Sequence, residues 1–167
     1  MKSKKVAAYG VLIALAFLLS YIESIIPVPI PIPGIKLGLA NLVVLSGLYT
    51  MGVKEAFVLS MIRIILVGFT FGSPSTMMFG LAGGLLSWLF MVIFRKLKLL
   101  SLTGVSIIGG ISHNIGQILV AMWVVKNAML IYYLPFLLLS GVVTGTIIGI
   151  LGSLIINRIK NFSIHIK

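Results

Sequence analysis

Seven polar side chains in a very apolar chain hold the chemical possibilities: Glu23, Lys36, Asn41, Arg63, His113, Asn114 and Gln117. Arginine presents a planar fork of donors that matches carboxylate or phosphate, lysine adds a point charge, and histidine and the amides mix donors with acceptors. The set suits recognition of an anionic or carbonyl-rich molecule. It does not suit bond-making chemistry. Glu23 and Glu55 are the only acidic residues, and there is no aspartate and no cysteine. A Ser/His/Asp constellation is therefore impossible, and carboxylates that could hold Mg²⁺ around a diphosphate are lacking. Thiolate metal sites, disulfides and cysteine nucleophiles are excluded. No GxxxxGK[ST] loop occurs. His113 lacks the companions a metal site needs. The sequence thus offers no catalytic residue, no metal site and no cofactor motif.

Each polar residue has a plain structural reading beside the binding one. Arg63 pairs with Glu23 and stitches two helices, or it meets a ligand. His113 is a hydrogen-bonded structural residue, Asn114 and Gln117 bond between helices, and Lys36 snorkels to headgroups. Tyr132 and Tyr133 belong to an interface belt. The argument for a site is convergence at one depth, and that depends on the elements that carry these residues.

With 60% hydrophobic and 9% charged residues and a mean hydropathy of +1.24, the chain is an integral membrane protein. The net charge of +11 is explained by loop charges, so nucleic-acid binding is not expected. Six helices are predicted: Val6 to Ile26, Ile35 to Met51, Lys54 to Phe71, Thr76 to Phe94, Leu102 to Val125 and Ala128 to Ile156. The first is read as a retained helix, because no small-x-small cleavage site follows it. Pro135 near the start of the sixth predicts a separate interfacial piece there. Between the first two helices, Pro27, Pro29, Pro31 and Pro33 stand at alternate positions before Gly34, which excludes helix and predicts a stiff loop.

Charge sets the orientation. With the N-terminus in the cytoplasm and six crossings, Lys2, Lys4, Lys5, Lys54, Arg95, Lys96, Lys98, Arg158, Lys160 and Lys167 fall inside, against Lys36 and Lys126 outside. Both termini are then cytoplasmic, and the proline loop is external. Asn41 sits about 9 Å below the outer end of the second helix. Arg63 is midway along the third, and His113 and Gln117, four apart, share a face of the fifth. Ser73, Ser75 and Thr76 lie with Lys36 at the outer mouth. The loop is read as a lid over a polar pocket. Gly141, Gly145 and Gly149 form a small-residue ridge on the sixth helix, read as internal packing. Ala7, Gly10 and Ala14 form another on the first helix, open to packing or to a partner.

Six helices in under 200 residues, cytoplasmic ends, a small-residue face on the first helix and a long first outer loop resemble the S components of energy-coupling factor (ECF) transporters. The segments Pro31 to Asn41 and Ser112-His113-Asn114-Ile115-Gly116-Gln117 resemble the Gx transporter family, also called heptaprenyl diphosphate synthase component I. The resemblance implies a single membrane domain over residues 1–167, an all-α six-transmembrane-helix bundle that binds a small ligand without being an enzyme. The ligand, vitamin-like or isoprenoid-precursor-like, would sit near the outer surface under the first loop, held by Lys36, Asn41, Arg63, His113, Asn114 and Gln117. The first helix would dock a transmembrane coupling subunit driven by two ATPases. Gly10 and Ala14 match that docking motif, with Gly where Ala is usual. The alternative the family name implies is a non-catalytic accessory subunit of heptaprenyl diphosphate or quinone synthesis. A proton-coupled carrier relying on Glu23 is a third reading.

Overall fold

The computed structural model describes residues 2–25 and 38–164. Pro27, Pro29, Pro31, Pro33, Gly34 and Lys36, and with them the lid reading, lie outside these. Six α-helices follow one another: α1 (Lys2–Ile25), α2 (Leu39–Thr50), α3 (Val53–Thr70), α4 (Pro74–Leu97), α5 (Leu102–Val125) and α6 (Leu134–Ile164). A 3₁₀ helix over Ala128–Tyr133 precedes α6, the separate piece expected ahead of Pro135. There is no strand among the described residues.

Local chemistry sets the breaks. Pro74 takes the first position of α4, behind a capping box in which Ser73 and Thr76 satisfy each other's backbone amides. Ser101 caps α5 by accepting from the Gly104 N–H. Lys98 and Lys126 end α4 and α5 in the left-handed region, at φ 54° and 52°.

Several boundaries differ from expectation: α1 starts earlier, at Lys2, α4 runs on to Leu97 and α6 to Ile164, and the start of α2 bears on the site. The second helix begins at Leu39, not Ile35, because Gly38 takes φ 73° and cannot continue a helix. Its twelve residues rise only about 18 Å. Asn41 is thus in the first turn, and the start of α2 reaches the bundle interior, where Gly38 shares a cavity wall with Gly110 and Gly145. By length and composition, α4, α5 and Ala128–Arg158 can each cross a membrane, while Tyr9–Ile25 and α2 are shorter apolar segments.

The helices alternate in direction. α1, α2 and α3 pack on one another, α4 and α6 flank α5, and the two groups join where α3 meets α4 and α2 meets α6. The α5–α6 seam is the most extensive. It is the glycine ridge: a Cβ on Gly141, Gly145 or Gly149 would fall 2.9, 2.7 or 2.7 Å from the backbone of Gly110, Ile107 or Thr103. Only glycine permits that approach. The core centres on Leu45, Leu48, Leu59 and Val105. The outside is apolar, with Phe69, Trp123, Met129 and Tyr132 all more than two-thirds exposed, a surface suited to lipid. At the end carrying Thr50 and Lys98, Arg95 lies 5.0 Å over the Tyr49 ring and Trp88 Nε1 donates to Val53 O at 3.0 Å.

Candidate functional site

At the opposite end, α1, α3, α4 and α5 line a partly open cavity of about 170 Å³. α1 contributes Ser20, Glu23 and Ser24. α3 contributes Arg63, Ile64, Val67 and Gly68, and the turn after it Phe71 and Gly72. Thr76, Met77 and Gly80 of α4 and His113 and Gln117 of α5 complete the wall. A second cavity of about 50 Å³ shares Glu23, Arg63, His113 and Gln117 with the first. It adds Gly38, Asn41, Gly110, Asn114 and Thr144. A third, of about 20 Å³, continues past Thr144 to Ser87 and Ser106. The polar wall therefore runs inward from the bundle end to its centre.

Packing decides who faces whom. Arg63 projects from mid-α3 to α2, where its Nη2 donates to Asn41 Oδ1 across 3.4 Å. The Glu23 carboxylate acts on the same guanidinium electrostatically. Glu23 itself is only 9% exposed, and its Oε1 accepts the backbone N–H of Gly38. A carboxylate from α1 thus caps α2, where the helix dipole favours negative charge. Arg63 Nε and Gln117 Oε1 are enclosed with no hydrogen-bond partner among the described residues. Buried polar atoms in that state are costly and ask for a ligand or water. Phe71 forms an aromatic wall, braced by Phe17 and Tyr21 at centroid distances of 5.4 and 5.5 Å.

Five of the six residues read as ligand-binding, Asn41, Arg63, His113, Asn114 and Gln117, come together at the inner cavity, and Lys36 is outside the described residues. Asn114 differs in kind. Its Nδ2 donates to Leu137 O at 2.6 Å, tying α5 to α6. Ser73 caps α4, Ser75 is exposed, and Tyr132 and Tyr133 do not line these cavities, while Thr76 does. Sequence reasoning missed Phe71, Ser20 and Thr144. At Gly83 a Cβ would sit 2.9 Å from Gln117 Cγ and 3.0 Å from His113 Cε1, so this glycine sets where both side chains stand. Ala7, Gly10 and Ala14 take no part in the bundle: all three are exposed, and nothing lies within 4 Å of a Cβ on Gly10.

This architecture is similar to that of one solved S component. It superposes on the S component of a bacterial ECF transporter with a TM-score of 0.74 at 19% identity, covering 97% of this chain and 98% of the other, a likeness that establishes the fold. The family profile of heptaprenyl diphosphate synthase component I matches residues 12–155, and the chain belongs to that family, the Gx transporter family. No curated protein matches the sequence.

Proposed function

We propose that this chain is the membrane-embedded, substrate-binding S component of an ECF-type, ATP-driven uptake transporter for a small anionic ligand. The carrying observation is the cluster of polar residues lining connected cavities at one end of an S-component-like fold, with a buried arginine donor that has no acceptor among the described residues. In this reading both termini are cytoplasmic and the Gly38 end faces outward, in line with the loop charges. Ligand enters from outside and meets Arg63, with Asn41, His113 and Gln117 around its polar end. The chain has no phosphate-binding loop of its own, so the energy comes from ATPases acting through a transmembrane coupling subunit. That subunit docks on the exposed face of Ala7, Gly10 and Ala14. Native mass spectrometry of the purified protein tests the reading. A single bound small molecule is expected on the wild type and lost in Arg63→Ala; equal occupancy in both removes Arg63 from the site.

The family name favours a second reading, a non-catalytic accessory subunit of heptaprenyl diphosphate synthesis. It predicts copurification with a soluble, aspartate-rich prenyltransferase, and a prenyl species instead of a small polar molecule in the same spectra.

A further inference from the structure

The two connected cavities differ in ways that specify what fills them. The outer one adds Val67, Phe71 and Met77 to the polar residues that the two share. At about 170 Å³ it is comparable to a cavity that accommodates benzene, about 150 Å³. The inner one is polar and holds about 50 Å³. At about 10–15 Å³ for each water-sized group, that is room for about three to five non-hydrogen atoms. A carboxylate, with about three, fits; a diphosphate, with about nine, would have to extend into the outer cavity.

Charge points the same way. Among the described residues lining both cavities, Arg63 carries the one fixed positive charge, and the Glu23 carboxylate lies beside it. The start of α2 would otherwise attract an anion, but it already faces Glu23. One negative charge on the ligand shares Arg63 with Glu23. A second or third would be buried without compensation. Hydrogen bonding adds a further demand. Arg63 Nε requires an acceptor and Gln117 Oε1 requires a donor, and both residues line the same space. A carboxylate alone satisfies only the first.

Resting on the S-component reading of this site, we propose that the ligand is a monocarboxylate carrying a hydroxyl or amine N–H beside its carboxylate. This head is seated in the inner cavity between Arg63 and Gln117. A small apolar or aromatic body lies against Phe71, and diphosphates are rejected.

Small anions that fill only the inner cavity test this without knowledge of the full ligand. The chain has three arginines, Arg63, Arg95 and Arg158. ¹⁵N-arginine labelling of the full chain in lipid nanodiscs gives three Nε–H resonances, and Arg63→Lys assigns the one in the site. Acetate, glycolate and pyrophosphate are titrated at constant ionic strength set with chloride. The Arg63 resonance should shift saturably with acetate. Glycolate, which adds a hydroxyl, should bind about threefold to tenfold more tightly, the yield of one hydrogen bond. In Gln117→Leu the advantage of glycolate disappears while acetate binding persists. Pyrophosphate should leave the resonance unmoved. Pyrophosphate binding more tightly than acetate, glycolate no tighter than acetate, or no response to any anion would each overturn the proposal. None of these outcomes involves the ATPase partner, so the proposal and the transport reading fail separately.

Discussion

Replacing Glu23 by glutamine separates two roles that act in opposite directions. The carboxylate accepts the Gly38 N–H and is the counter-charge of Arg63. Glutamine keeps an acceptor oxygen for Gly38 but removes the charge. The weaker hydrogen bond costs about 1 kcal/mol, the difference between charged and neutral acceptors. The guanidinium left without a buried counter-charge costs about 1–2 kcal/mol more, less than full removal of a partner because Asn41 still accepts from Arg63. The ligand-free protein should therefore lose about 2–3 kcal/mol of unfolding free energy, read from denaturant titration in detergent through Trp88 and Trp123 fluorescence. Anion binding should move the other way. Arg63 no longer shares its charge, so glycolate should bind about 5- to 30-fold more tightly, the equivalent of that 1–2 kcal/mol. A proton-coupled carrier predicts instead that Glu23→Gln abolishes uptake by the chain alone. If the variant is as stable as wild type and binds glycolate no better, the account of Glu23 as cap and counter-charge is wrong.

Three further substitutions probe the framework. Gly145→Val drives a side chain into the Ile107 backbone and should cost about 1–3 kcal/mol or more of stability by forcing α5 and α6 apart, measured by the same unfolding titration. Asn114→Leu leaves the buried Leu137 carbonyl without its donor and should cost about 1–3 kcal/mol, while the Arg63 Nε resonance still responds to acetate, since its amide is committed to α6. Gly83→Ala presses on His113 O and Gln117 Cγ and should weaken glycolate binding at least about fivefold, with about 1–2 kcal/mol of lost stability; unchanged affinity would mean that the α4–α5 approach does not set the site.

Much of this was readable in the chain because polar residues in an apolar protein are costly and therefore informative. Arg63, His113 and Gln117 stood out for that reason, and the helix period put the last two on one face. Leu102–Val125 coincides with the predicted fifth helix because Ser101 and Lys126 punctuate both ends. Other features depend on contacts between helices. Gly38 in a Leu-Gly-Leu-Ala run reads as an ordinary helix glycine; its left-handed turn goes with the Glu23 carboxylate fifteen residues back. Ser20 and Thr144 bond to Ala16 O and Ser140 O at 2.9 Å each, so by local chemistry they are self-satisfied and gave no sign of lining a cavity. Asn114, one residue from His113, is turned about 100° around the helix and reaches α6, a rotation that proximity in sequence conceals.

The most direct measurement of the central claim is quantitative mass spectrometry of what accompanies this chain when it is purified from native membranes in mild detergent. The account predicts a transmembrane coupling subunit and two ATPases in fixed proportion. It also predicts their loss in Gly10→Leu, a substitution made into open space and therefore neutral for the bundle's own stability. A soluble aspartate-rich prenyltransferase in their place, or ATPases that stay bound to Gly10→Leu at wild-type levels, would contradict it.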